Sequence, residues 1–392
     1  MTTHTTTPST GLAGTRERLW AALEARDEAA AAAAVLDAHD AGTTAEDLLL
    51  DVIGPVQARV GGEWAAGRIG VAQEHAATAI QDRVIAALAH RGPRPGPAGG
   101  PGAPRESAAL GPGASRESPA VGAGARRESG TAPRRVTVAC VDGEWHALPA
   151  RLLAEVLRGR GFLVDYLGAH VPTPHLIAHL HQTGADAVAL SASLPVRLPT
   201  AHAAVTAVQA IGLPVLVGGA AFGPDGRYAL LLGADGWAPD ARAAASLLAG
   251  GLRRPEGAPP HPARELPHLA DQEYTLVTRS RTQLIRHVLT ALEAAVPAMA
   301  SYTGRQRERT AEDIAHIVDF LAASLYADDA ELFTRFVTWT AGILRARGVP
   351  DAALAAALDL LADAQHDFPR ARAHLVAGRR ALTRVPAPGR RA

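Results

Sequence analysis

Glu144 and His146 stand two residues apart in the run Asp142-Gly-Glu-Trp-His-Ala-Leu-Pro149, which follows directly on the apolar segment Arg135-Val-Thr-Val-Ala-Cys-Val141. A neutral imidazole can offer one ring nitrogen to a metal. A carboxylate bonded to the other nitrogen fixes the tautomer and the ring orientation. The same spacing also suits a helix N-terminus with polar caps, and on spacing alone both readings stand. A metal reading places the pair on a loop, at the carboxyl end of a strand that holds it rigid.

The elements around this loop can be read from the chain. Residues 134–252 alternate apolar runs with helical patterns: Arg135 to Val141, Phe162 to Leu167, Ala187 to Leu190, Pro214 to Val217 and Gly236 to Ala238 read as strands, and Leu148 to Arg160 as a helix ending at Gly161. That rhythm implies a parallel sheet covered on both faces, whose ligands sit beyond the carboxyl ends of the strands. Residues 12–91 are alanine-rich and read as a small antiparallel bundle, with helices over Thr15 to Leu23, from Thr44 with Asp47 completing a capping box, and over Val71 to Ala89. Residues 92–133 read as a flexible Gly/Pro/Ala linker with the repeats Ala103-Pro-Arg-Glu-Ser107, Ala114-Ser-Arg-Glu-Ser118 and Ala125-Arg-Arg-Glu-Ser129. After a Pro-rich break at Arg253 to Pro267, residues 270–385 read as all-helical. There Thr310-Ala-Glu-Asp313 looks like a helix start. Ile314, Ile317, Val318, Leu321 and Leu325 form an apolar stripe, and a helix around Glu331 to Trp339 ends near Gly348, with Pro350 opening the next. The expected fold class is α/β plus all-α.

Composition narrows the function. The 39 acidic residues balance 39 basic ones, which argues against a non-specific nucleic-acid binder. All the basic residues are arginine. With the abundance of Ala, Gly and Pro this reads as codon bias, so arginine choice alone carries no argument. The one cysteine, Cys140, excludes an internal disulfide and a cysteine-based metal site. No apolar signal core or run of ~20 apolar residues is present, so a cytoplasmic protein off the membrane is expected.

The α/β region resembles the cobalamin-binding domain of methionine synthases, mutases and light-sensing repressors, which has a flavodoxin-like sheet. Their pattern is Asp/Glu-x-His-x-x-Gly, then Ser-x-Leu, then Gly-Gly. Glu144 and His146 match the first element, Ser191-Ala-Ser193-Leu194 the second and Gly218-Gly219 the third, each at a strand end. The resemblance implies His146 as the lower ligand to cobalt. It also implies a slot for the displaced base, in which Ser191 or Ser193 bonds that base and the glycines permit close approach. Pro149 stands where the family has glycine, a position that the first turn of a helix accepts. Upstream, Trp64, nine residues and then Glu74-His75 resemble the cap of light-dependent cobalamin regulators, where the tryptophan covers the adenosyl face and the Glu-His pair lines the same cavity. As plain structure, Trp64 would be bundle core and Glu74 and His75 a solvated face. Ala65 stands where those repressors often carry a histidine, which leaves His75 as the nearest replacement for an upper ligand after photolysis.

A helical module following such a domain resembles the photocobilins, photoreceptors that pair cobalamin with biliverdin in a globin-like helical domain. This implies a bilin held without a covalent bond, with His287, Tyr302, Arg305, His316 and Phe320 as candidate contacts. The expected function is a light sensor using adenosylcobalamin and biliverdin. It is not an enzyme, and it forms a homo-oligomer whose association responds to light. Two alternatives are a corrinoid carrier of a methyltransferase system and a cobalamin-responsive regulator without a DNA-binding domain. Residues 270–385 are too short for a barrel of ~250 residues, and no basic recognition helix is evident.

Overall fold

The computed structural model describes residues 8–91, 134–252 and 266–384. The linker assigned to 92–133, with its repeats, lies outside the described residues. Helices α1 (Pro8–Ala25) and α2 (Glu28–Asp40) are separate, because Arg26 turns left-handed (φ 58°) and the Asp27 side chain caps α2 at the Ala30 N–H. Thr44 caps the short α3 (Ala45–Asp47) by accepting from the Asp47 N–H. The chain then widens into a π-helical turn, Leu48–Ile53, before α4 (Gly54–Ala65). Pro55 is the cause: without an N–H it cannot continue the α ladder, and the Gly54 N–H reaches back five residues to the Leu49 carbonyl. Helix α5 (Val71–Arg91) completes the bundle.

The middle of the chain is a five-stranded parallel sheet in the order β2-β1-β3-β4-β5, with β1 at Arg135–Cys140, β2 at Leu163–Gly168, β3 at Ala187–Ser191, β4 at Val215–Gly218 and β5 at Gly236–Ala238. Helices α6 (Leu148–Gly159), α7 (Thr173–Thr183), α8 (Leu198–Ala210), α9 (Arg227–Leu231) and α10 (Ala241–Gly250) connect and cover it. Strand order reverses between β1 and β3, so the loops leaving these two strands diverge and open a crevice. The last region is helical: α11 (Glu273–Ala295), α12 (Gly304–Ala327), α13 (Ala330–Ala346), α14 (Asp351–Ala364) and α15 (Pro369–Arg384). Its apolar stripe is buried as expected. The helix start is corrected: Thr303 and Gln306 form the capping box of α12, and Thr310 lies inside the helix, donating to the Gln306 carbonyl. The true signal, Thr-x-x-Gln, lies one repeat earlier and is followed by polar residues, which hid it.

One continuous apolar core joins the bundle (Leu48, Ile53, Val84) to α6 and α10 on one face of the sheet. Another joins the opposite face, through α8, to Ala323, Tyr326 and Leu332 of the C-terminal helices. The bundle is therefore packed directly on the sheet domain, and ion pairs add to that contact. Arg160 pairs with Glu46 at 2.8 Å, and Arg242 with Asp51 at 2.7 Å and with Asp47 at 2.8 Å. On the other side Tyr228 donates to Asp329 at 2.6 Å, and Tyr326 and His202 are bonded at 2.7 Å. Among the described residues no helix is long and apolar enough to cross a membrane.

Candidate functional site

β1 delivers the chain into a tight loop in which Gly143 takes a left-handed turn (φ 77°) beneath the Arg197 guanidinium. Glu144 points inward, 1% exposed. One of its oxygens accepts from the His146 N–H at 2.9 Å and from the His146 ring Nδ1 at 2.6 Å. The other accepts from the backbone N–H groups of Ser193 at 2.7 Å and Leu194 at 3.2 Å. The carboxylate thus ties the loop after β1 to the loop after β3 across the crevice. Burial pushes its pKa up, but the hydrogen bonds from the His146 ring and from the two backbone amides outweigh that and hold it down at about 2. With Nδ1 committed to Glu144, the Nε2 of His146 is left as the free ring nitrogen on a side chain 57% exposed. The Glu144 hydrogen bond raises the His146 pKa against the opposing effect of burial, and the charges of Glu144 and Glu74 add to the rise. Glu74 belongs to α5, so the charge of the bundle acts on the same imidazole.

Beside this loop a slot of about 120 Å³ opens between α6 and the ends of β3, β4 and β5. Pro149, Leu153, Ser191, Gly218 and Gly219 line it. Gly219 has φ 102°, and a Cβ there would lie 2.3 Å from the Ala192 carbonyl oxygen, so only glycine fits. Of the two candidate serines, Ser191 lines the slot, while Ser193 contributes its backbone N–H to Glu144. A narrow, mostly apolar slot with one hydroxyl suits an uncharged aromatic base. Together with a histidine whose Nε2 is free, it fits a corrinoid whose own base has been displaced. Pro149 sits in the first turn of α6, where its missing N–H costs nothing.

In the bundle, Trp64 closes α4 half-buried. Its ring lies 6.3 Å from Trp339 and 5.1 Å from the Arg347 guanidinium, both at α13. It is therefore neither bundle core nor a plate against the sheet domain alone. Glu74 accepts from Thr78 at 3.0 Å and contacts the exposed His75 ring at 2.5 Å.

The five candidates in the C-terminal helices do not converge. His316 and Phe320 line a cavity of about 310 Å³ between the turn that leads into α8 and helices α11 and α12. His287 and Arg305 are exposed and Tyr302 packs on the helical core, none of them at that cavity. Of the five candidates, this cavity brings together His316 and Phe320 alone. The positions of the other three, on α11 and in the segment opening α12, lie away from the turn where the helices meet the sheet domain. The cavity instead takes Arg197, Tyr274 and the ion-paired Arg281 and Asp319, 2.5 Å apart. Arg197 had no motif to announce it. Trp145, 69% exposed and stacked on His170 at 4.8 Å, was also missed, though it lies inside the acid–histidine run.

Two family models match the chain. One B12 binding domain covers residues 134–246, and a second B12 binding domain covers residues 15–89. A search of curated proteins found no match. Among solved structures, the monomethylamine corrinoid protein of Methanosarcina barkeri is 17% identical, over 60% of this chain and 96% of that one, with a TM-score of 0.44. A cobalamin-binding protein from Desulfitobacterium hafniense DCB-2 is 17% identical, over 60% and 97%, with a TM-score of 0.29. The methanol:cobalamin methyltransferase complex of Methanosarcina barkeri is 15% identical, over 65% and 87%, with a TM-score of 0.29. The bundle and the α/β unit thus each match a B12-binding domain, and the pair supports a cobalamin-binding protein.

Proposed function

We propose that this chain, a cobalamin-binding protein, is a light sensor that holds adenosylcobalamin with His146 beneath the cobalt and Trp64 and Glu74 over the upper face. One observation carries the reading: buried Glu144 holds the Nδ1 of His146 with one oxygen and the loop after β3 with the other, at the point where the strand order reverses, and so fixes an imidazole with its Nε2 free. Bound adenosylcobalamin supplies a cobalt–carbon bond that visible light breaks. The chain's part is to orient an imidazole through Glu144, to seat the displaced base against Ser191 and Gly219, and to keep water from the upper face with Trp64. The closed bundle favours a sensor over a methyl carrier. A carrier exposes its upper face to a partner at each turnover, whereas here Glu46, Asp47 and Asp51 pair the bundle to Arg160 and Arg242. In this reading the chain is not an enzyme, and light changes how copies associate.

The test is reconstitution in the dark followed by illumination. The sensor reading expects adenosylcobalamin to bind in preference to methylcobalamin, and expects light to convert its spectrum irreversibly. Equal affinity for both forms, with demethylation by an added methyltransferase, would replace it with the carrier reading.

We propose biliverdin as a second cofactor, a reading that the C-terminal cavity favours. Its size lies at the lower end of small-molecule sites, and Arg197, Arg281 and His316 offer donors to carboxylates beside Phe320 and Tyr274. Biliverdin there would be held without a covalent bond, because Cys140 is buried in β1 with its thiol pushed up to about 12 by that burial and by the charge of Glu144. Co-expression with a biliverdin source should give a red-absorbing protein that loses zinc fluorescence on a denaturing gel. A colourless product would leave the cavity without a bilin.

A further inference from the structure

Trp339 lies in the middle of α13 and keeps 52% of its surface exposed, although Phe333, Phe336 and Val337 commit the other side of that helix to the core. An outward tryptophan needs a reason. Its ring stands 6.3 Å from Trp64 at a tilt of 38°. One residue past the end of the same helix, the Arg347 guanidinium lies 5.1 Å from the Trp64 ring. Between these two contacts the loop after α4 meets α13 directly: Gly67 takes a left-handed turn (φ 71°), and a Cβ on it would lie 3.5 Å from the Ala346 carbonyl oxygen. Three contacts from one helix therefore bracket the tryptophan of the bundle. Trp64 is the next-to-last residue of α4, a position where a large ring changes rotamer freely unless something stands beside it.

We infer that Trp339 and Arg347 are positioning residues for Trp64, so that retention of the upper ligand depends on the C-terminal helices as well as on the bundle. This rests on the reading that Trp64 covers the upper face. The chemistry is that of an aromatic pair closed by a cation over the π face: Trp339 packs beside the Trp64 ring and Arg347 is attracted to its face, so both contacts hold the ring in one position. The upper wall of the cofactor site is then built from two regions of the chain that are distant in sequence. The wall also has a physical continuation. Trp339 lies 6.5 Å from Phe336, and Phe336 stacks at 3.8 Å on Phe320, which lines the C-terminal cavity. Displacing Phe320 would move the ring on which Trp339 rests.

The experiment uses the full chain, loaded with adenosylcobalamin in the dark, and follows cofactor loss spectrophotometrically against excess hydroxocobalamin. Trp339→Ala should speed the loss of adenosylcobalamin roughly three- to tenfold, the consequence of removing one aromatic pair. It should leave the loss of methylcobalamin nearly unchanged, and Trp339→Phe should restore most of the retention. A second variant works in the opposite direction. The Gly67 Cβ position lies 3.9 Å from the Ala346 Cβ, within the span of a disulfide, and because a side chain at φ 71° is strained the double variant Gly67→Cys with Ala346→Cys is compared with its own reduced form: oxidation should slow the loss and a reductant should reverse it. Trp64→Ala is the reference. If it speeds the loss while Trp339→Ala exchanges at the wild-type rate and the oxidised pair at the rate of its reduced form, the inference is overturned and the upper-face reading stands. If Trp64→Ala itself changes nothing, both fall.

Discussion

At the scale of single residues, the site turns on Glu144, a carboxylate whose two oxygens serve four donors. Glu144→Gln keeps the shape but turns an NH2 group toward donors that need an acceptor. It should destabilise the protein by about 1–3 kcal/mol and weaken cobalamin binding roughly 10- to 100-fold, read by thermal melts and by titration. His146→Ala should abolish the His-on spectrum while leaving the melting temperature close to wild type, since the ring is exposed. An unchanged dark spectrum would remove His146 from the cobalt. The pH dependence follows from the sign of its shift. A raised histidine pKa keeps the proton on the ring above the ordinary 6.5, and a protonated ring cannot ligate cobalt. His-on binding should therefore strengthen as pH rises through and beyond 6.5, then level off once the raised pKa is passed. The carboxylate acts in the same direction at lower pH: its stabilisation of the fold is complete above 4.5 and is lost as pH falls toward about 2. Glu144, His146 and the glycine pair were legible in the sequence because they are adjacent or nearly so and follow strand signals. Arg197, Trp339 and Arg347 were not. Each acts on a partner far away in the chain, and no local spacing encodes such a contact.

At the scale of elements, most of the architecture could be read because period and punctuation agree. All five strands of the sheet were visible as short apolar runs, and Gly161 and Gly348 end helices where expected, both with left-handed backbone. The failures have physical causes. The alanine-rich first region hides the break at Arg26, because alanine has no periodicity to interrupt. The start of α12 was misplaced because two Thr-led patterns, Thr303-Gly-Arg-Gln306 and Thr310-Ala-Glu-Asp313, compete and only tertiary packing chooses between them. The slot is an element-level property too, since it forms where α6, β3, β4 and β5 leave a gap that small residues keep open. Gly219→Ala puts a methyl group against the Ala192 carbonyl at a φ that L residues resist, a strain on the order of 1–3 kcal/mol. The expected result is a folded protein with a lower melting temperature and little affinity for cobalamin. It should retain better affinity for cobinamide, which lacks the nucleotide tail. If both ligands lose affinity equally, the slot does not receive the base.

At the scale of the whole molecule, the bundle, the sheet domain and the C-terminal helices meet around one crevice, and the strength of their junctions decides what light could move. The bundle joins the sheet domain through a shared apolar core and through the ion-pair network of Glu46, Asp47 and Asp51 with Arg160 and Arg242. Half-exposed pairs of this kind are worth about 0–1 kcal/mol each. The network is therefore a restraint comparable to what one cofactor contact supplies, and loss of the upper ligand can release the bundle only by as much as that ligand favoured the closed form. Salt separates the two parts of the junction: it screens the network, with a Debye length near 10 Å at 0.1 M, and leaves the apolar core intact. Light-driven change in shape or mass should accordingly be larger in high salt than in low salt, measured by small-angle scattering and sedimentation before and after illumination. Arg242→Ala should reproduce the high-salt behaviour at low salt, because it removes the residue that three carboxylates share. A light response that is the same in both salts and in the variant would mean that the network does not restrain the bundle, and that whatever opens the molecule acts through the apolar core or through the contact between Trp64 and α13.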